Sequence, residues 1–398
     1  MNNNYCKKLA ALCLTAVMGI GVSACSGGNM YATSDSSMRL SDSDVITLGA
    51  VTTNSGSAAA YGEAELSGFK LAISEINAKG GIFGKKIVLK SMDDKGDVLE
   101  ASNAFNRLAG EKDVIGILGP TISSTTGAVA SLADQNQLPS IAPAATSDSI
   151  ETGGYLFRTC FKDSYQGEIA AKFAAEDLKV NKVAVLYGTG DPYSSGVGKA
   201  FVTAAKKAGL EVVAEENSSS ADDTEYSSQL QKVQAAGAEF LYAPYYYSAA
   251  GPYIIPQARS VGYEGYIMGP DGYDGLQITG SKSQYDKVLY TTHYSPDDKS
   301  NTKVQKFIES YKKANNNASP NTFTALGYDS VYMFKQAIEK AGPKASRADI
   351  RNAIYGMSFS GVTGKFTLDS HGSPKKSVIV LEMKNGKPTY RSTIQPAK

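Results

Sequence analysis

The residues able to do covalent or metal chemistry are set in patterns that do not support it. Ser67-Gly68-Phe69-Lys70 and Ser310-Tyr311-Lys312-Lys313 match the Ser-x-x-Lys string in which lysine activates a serine nucleophile. Both lie in stretches of helical periodicity, and neither Ser-Asp-Asn nor Lys-Thr-Gly accompanies them. Gly188-Thr189-Gly190 follows a strand pattern as a dinucleotide loop would, but Tyr193 stands where the third glycine is needed. The two histidines, His293 and His371, have neither metal-ligand spacing nor a nucleophile partner and read as surface or hinge residues. Asp93-Asp94 puts two carboxylates on opposite faces of a strand, which suits loop anchoring better than a divalent cation. No catalytic residue, metal site or cofactor is expected. An enzyme would need a nucleophile–base pair or a metal, and the pattern offers neither.

What remains is binding. Residues 46–94 read as strand, Gly/Ser-rich turn, long amphipathic helix, Gly80-Gly81 turn and strand, with small polar residues where the first strand ends. In an α/β sheet that is where a small molecule sits. From Val45 onward, strand patterns at 46–51, 87–92, 114–118, 139–142, 182–187, 211–215, 239–243 and 265–268 alternate with helical ones. Leu66, Phe69, Ile73 and Ile76 define the apolar stripe of the first helix; Val304, Phe307, Ile308 and Tyr311 define a later one. Ser123 and Ser124 stand in capping position before a helix over 125–136. Asn315–Pro320 reads as a loop, and the segment from Ser377 through Asn385-Gly386 reads as a closing hairpin. The rhythm runs through twice, which predicts an α/β chain of two doubly wound, parallel-sheet (Rossmann-like) lobes.

The N-terminus carries Lys7 and Lys8, an apolar run from Leu9 to Ile20, then Val22-Ser23-Ala24-Cys25. This is the pattern of a lipoprotein export signal over 1–24, with Cys25 lipidated. The apolar run is short for a membrane span. Polar residues 26–44 read as a flexible tether, so the expected location is the outer face of the cytoplasmic membrane, held only by the lipid. Loss of Lys7 and Lys8 leaves 38 basic residues against 39 acidic ones, without charged runs, which argues against nucleic acid. Cys6 and Cys13 leave with the signal and Cys25 carries lipid. Cys160 is left alone, with no disulfide or cysteine metal cluster.

With those pieces assembled, the chain resembles the substrate-binding proteins of branched-chain amino acid ABC transporters, the leucine/isoleucine/valine-binding family. The resemblance rests on residues 55–87, IGILGPTISSTTG (115–127), IAPAATSD (141–148), LFRTCFKDSYQG (156–167), PQARSVGYEGYIMGPDG (256–272) and ALGYDSVY (325–332). It implies the type I periplasmic-binding-protein fold: lobe one over about 45–162 and 296–373, lobe two over about 163–295 and 374–398, joined by a three-crossover hinge. It implies a monomeric, non-enzymatic receptor that passes a free amino acid to an ABC permease and its ATPases. Some relatives carry a disulfide near the first-lobe site; the matching position here is Ile122.

A free amino acid is a zwitterion, so a buried site must supply donors for its carboxylate and acceptors for its ammonium. Ser123, beside Ser124 and the amides opening the next helix, suits the carboxylate. The resemblance gives Ala144 a backbone contact, Thr146 a side-chain contact and Asp271, in Gly-Pro-Asp-Gly, the ammonium. It sets Tyr61, Tyr193, Tyr246 and Tyr328 at contact positions, with Ile122 at the apolar end. The same fold could instead bind an aromatic amino acid, an amide or urea, or serve a sensor.

Overall fold

The computed structural model describes residues 39–150, 152–297 and 301–396. The export signal, Cys25 and the tether up to residue 38 lie outside the described residues. The end of the expected tether is part of the fold. Leu40, in a 3-10 turn, is buried in the core and its N–H donates to the Ala345 carbonyl (2.9 Å).

The first sheet has the order β2-β1-β3-β4-β5 and is parallel throughout. Its strands are β1 (Val45–Thr52), β2 (Lys86–Asp93), β3 (Val114–Leu118), β4 (Ser140–Ala142) and β5 (Leu156–Arg158). Helices α1 (Ala59–Ala78), α2 (Val98–Gly110) and α3 (Ser123–Gln135) connect the first four. β1, β3 and β4 are nearly continuous apolar runs, as a sheet covered on both faces requires.

The second sheet has the order β15-β14-β10-β9-β8-β6-β7. β6 (Lys182–Gly188), β7 (Glu211–Ser218), β8 (Phe240–Tyr242), β9 (Tyr266–Gly269) and β10 (Val288–Thr292) run parallel. Helices α4 (Asp163–Glu176), α5 (Pro192–Lys207) and α6 (Ser227–Ala235) interleave with them. A helical run follows β8, formed by α7 (Tyr247–Ala249), a π-helical turn and α8 (Ile255–Ser260). α9 (Thr302–Ala314), α10 (Thr322–Ala341) and α11 (Arg347–Ile354) come next, then a small antiparallel sheet of β11 (Ser358–Gly361), β12 (Gly364–Leu368) and β13 (Pro374–Lys375). The hairpin β14 (Val378–Lys384) and β15 (Lys387–Ile394) returns to the second sheet, β14 pairing antiparallel with β10.

The chain therefore passes between the two large sheets three times: after β5, after β10 and before β14. α1 and α10 cross closely because glycines let them. A Cβ on Gly68 would lie 2.2 Å from the Thr324 carbonyl oxygen, and one on Gly327 would lie 2.6 Å from that of Glu65. Sequence reading missed β5, β10 and the small sheet. β5 is three residues long, and the small sheet is built of short strands rich in Ser, Gly and Lys, so neither carries a sustained alternation.

Candidate functional site

The loops that leave the carboxyl ends of β3, β4, β6, β8 and β9 converge with the start of α1 on one small cavity between the two sheets. Tyr61, Thr121, Ile122, Ser123, Ala144, Tyr193, Tyr246, Asp271, Gly272 and Phe323 line it. Its volume is ≈ 20 Å³, room for about one water molecule.

On the first-sheet side, α3 begins at Ser123, with Ile122 as N-cap and no side-chain cap on its first amides. Ser123 and Ser124 are therefore not the capping residues that the sequence suggests; they are the first two residues of the helix. The free amides and the positive end of the helix dipole are left for an anion. The Ser123 hydroxyl accepts the Ser147 N–H (3.2 Å) and keeps its own proton to donate. The loop after β4 that carries Ala144 is braced by Arg158, whose buried guanidinium donates to the carbonyls of Ala145, Ser147 and Ile150. Thr121 fixes the loop after β3 by donating to Glu65 (2.7 Å) and accepting the Thr53 N–H.

On the second-sheet side, Asp271 opens a 3-10 turn directly after β9 and is 2% exposed. Its carboxylate is gripped from three elements: Oδ1 accepts from Gln166 Nε2 (3.0 Å) on α4 and the Tyr193 hydroxyl (2.8 Å) on α5, and Oδ2 faces His293 Nε2 (3.2 Å). The Gln166 carbonyl in turn accepts the Asp271 N–H and the Thr291 hydroxyl proton. Tyr193 stacks on Tyr246 (5.1 Å between ring centres), whose hydroxyl donates to Asp191, the N-cap of α5. Tyr61 reaches across from α1: its hydroxyl donates to the Gly272 carbonyl and accepts the Tyr247 N–H (3.0 Å), and its ring packs on Phe323 (4.2 Å).

Of the residues singled out in the sequence, Tyr61, Ile122, Ser123, Ala144, Tyr193, Tyr246 and Asp271 are thus brought together. Three are not on the cavity wall. Ser124, the second residue of α3, is half-buried and does not line the cavity. Thr146 is fully buried off the cavity wall, with its hydroxyl beside the Asp163 carboxyl. Tyr328 is elsewhere: it donates to Glu75 (2.7 Å) and lines a separate cavity of ≈ 750 Å³ with Tyr332 and Lys306. Five positions along α10 turn a side chain by about 140°, so Phe323 faces the small cavity and Tyr328 does not.

Sequence reasoning missed Asp163, Gln166 and His293. Asp163 is the first residue of α4 and is fully buried, with the Thr146 hydroxyl beside its carboxyl. Burial pushes its pKa well above the carboxylate range; the Thr146 hydroxyl opposes that rise and the charge of Asp271 adds to it. Of the two alternatives for His293, surface or hinge, the surface one fails. The residue is buried in the second crossover, and burial pushes its pKa down to about 4. Gln166 and Asp163 stood inside the quoted motif LFRTCFKDSYQG but bore no local sign of their role. Asp93 and Asp94 anchor the loop after β2, accepting from Asn54, Ser55 and Lys95, and from Thr53 and Gly96. The buried Cys160 thiol, pushed up to about 12 by desolvation, is inert.

An uncapped helix start facing a clamped carboxylate across a closed gap between two doubly wound units defines a solute-binding receptor. Comparison with known proteins agrees. The family model described as "Periplasmic binding protein" matches residues 45–388. A Leu/Ile/Val-binding protein homolog of Brucella melitensis is 30% identical over 320 residues, 78% of this chain and 83% of its own. The isoleucine-bound substrate-binding protein of a branched-chain amino acid transporter from Streptococcus pneumoniae superposes with a TM-score of 0.82 at 32% identity, covering 88% of this chain and 100% of the other. A leucine-binding protein of Thermotoga maritima gives 0.81 at 30% identity, covering 88% and 99%. The chain belongs to the periplasmic binding proteins, in the branch of the Leu/Ile/Val-binding proteins, with the type I fold. It is an extracytoplasmic solute-binding component and not an enzyme. Among the described residues no helix is long and apolar enough to cross a membrane.

Proposed function

We propose that this protein is a lipid-anchored receptor that captures a small aliphatic amino acid, of the leucine, isoleucine or valine kind, and delivers it to an ABC permease. The observation that carries the reading is the pairing across one cavity of a donor face (Ser123 and the α3 amides) with an acceptor face (Asp271). The two poles of an amino acid need those two faces. Ile122, Phe323 and the tyrosine rings leave an apolar wall for its side chain. Behind the wall, the buried Asp163 and Thr146 back the Asp271 side with a second acid and a hydroxyl.

A cavity of ≈ 20 Å³ cannot hold an amino acid, so capture requires the lobes, over about 45–162 with 296–373 and 163–295 with 374–398, to part and close again about the three crossovers. Closure on the ligand is the signal the permease reads, since ligand shifts the open–closed equilibrium by its differential affinity. Cys25 carries the lipid that holds the receptor at the membrane.

Calorimetric titration of the ligand-stripped full chain against the twenty amino acids, benzoate and urea tests this. Tight binding confined to Leu, Ile, Val and near neighbours is expected. Preference for an aromatic acid or for urea, or chemical turnover of any ligand, would replace the reading.

A further inference from the structure

The acceptor side of the site is joined to the crossovers by one side chain. His293 is the first residue after β10, where the chain leaves the second sheet at the second crossover. Its Nε2 faces Asp271 Oδ2 at 3.2 Å, and its ring lies flat on Phe161 of the first crossover, with centres 3.6 Å apart and planes 22° from parallel. Its backbone N–H donates to the Thr322 hydroxyl at the start of α10 (3.3 Å). The third crossover contributes Lys376, a fully buried ammonium that donates to Thr363 (3.0 Å) and acts on the imidazole as its one other charged neighbour among the described residues besides Asp271. One ring thus touches the ligand-facing carboxylate, stacks on the first crossover, belongs to the second and feels the charge of the third.

We propose that His293 is a positioning residue: its Nε2–H fixes the Asp271 carboxylate for the ligand's ammonium, and its stack on Phe161 makes that alignment depend on the crossovers being in their closed arrangement. The inference rests on the reading of Asp271 as the ammonium acceptor. A carboxylate held by three donors keeps one lone-pair direction free, and the donors decide which one. Two of them, Gln166 and Tyr193, travel with the second sheet. The third, His293, sits where the chain must bend. Rotation about the crossovers therefore swings the third donor relative to the other two and re-aims the carboxylate. In this arrangement Asp271 contacts the ring from the second-sheet turn and the charge of Lys376 acts on it from the third crossover, while Phe161 and Thr322 offer no charge.

The arrangement also ties closure to a proton. The buried Nδ1 has no hydrogen-bond partner, so a second proton on the ring would be an unpaired N–H here; with an ordinary solution pKa of about 6.5, the ring must shed that proton as the site closes, and acid favours the open form and weakens binding.

The test uses the ligand-stripped full chain with leucine as probe, titrated from pH 8 to pH 5. Wild type should lose affinity about tenfold or more over that range. His293→Gln keeps a neutral donor near the place of Nε2 and cannot titrate; its affinity at pH 8 should stay within about threefold of wild type, with a flatter pH profile. His293→Phe keeps a ring for the stack and removes the donor; it should bind at least about thirtyfold more weakly at pH 8 even where its melting temperature matches that of His293→Gln. Wild-type affinity in His293→Phe, or an unchanged pH slope in His293→Gln, overturns the inference. Asp271→Ala separates the two layers. If that variant binds leucine normally, the ammonium reading itself fails; if it does not bind while His293→Phe does, only the role of His293 falls.

Discussion

Asp271 accepts hydrogen bonds from Gln166 and Tyr193 and faces His293 before any ligand arrives, so its removal does more than empty a ligand contact. Asp271→Ala should cost leucine affinity at least a hundredfold. It should also lower the stability of the empty protein by about 1–3 kcal/mol, because buried donors are left unpaired; calorimetry and a urea melt measure the two separately. Asp163 predicts the opposite for stability. Its pKa is raised in the folded protein, so it favours folding at pH values below its unfolded pKa and that contribution is lost as pH rises through the folded one. Asp163→Asn should therefore raise the melting temperature at pH 7.5, leave it little changed near pH 4 and weaken leucine binding. A melting temperature that falls equally at both pH values would rule this out. These acids show where sequence reading stops. Ser123 and Ala144 are legible because each lies just beyond a strand end in a recognisable string. Asp163, Gln166 and His293 matter through partners up to 125 positions away, and no local pattern encodes that.

At the scale of elements, the helix–strand rhythm is legible wherever burial on both faces forces long apolar strands, as in β1, β3 and β6. It fails where short strands are defined by pairing alone, as in β11–β13. The crossing of α1 over α10 is also invisible in the sequence, since Gly68 and Gly327 look like ordinary helix-weakening residues. Their value lies in backbone contact. Gly68→Ala should destabilise the protein by about 2–4 kcal/mol in a urea melt, against a gain in helix propensity of under about 1 kcal/mol. Equal stability of the variant would mean that the two helices can part without cost. Gly80 and Gly81, by contrast, behave as their sequence suggests: both take positive φ (100° and 79°) and end α1.

At the scale of the molecule, three passages of chain allow the two sheets to move as bodies, and Tyr61 is the clasp between them. In this structure its hydroxyl bonds both Gly272 and Tyr247 of the second-sheet side. Tyr61→Phe should weaken leucine binding about 10–30-fold, as two hydrogen bonds of about 1 kcal/mol each would. It should leave the scattering radius of the empty protein unchanged, and a variant that binds as tightly as wild type would show that the clasp carries no weight. The two-lobed plan was legible from the repeated βα rhythm, whereas the degree of closure was not, because it depends on contacts such as Tyr61–Gly272 between distant segments.

The clasp has an optical consequence. The chain contains 24 tyrosines and no tryptophan, so no indole masks phenol emission by energy transfer. Tyr61, Tyr193 and Tyr246 form a contiguous group of buried rings lining the gap. Opening separates one of those rings from the other two and exposes all three to quenching by water and dissolved iodide. The native protein is therefore its own fluorimeter: ultraviolet emission from an unlabelled sample should register each capture of a nutrient in real time.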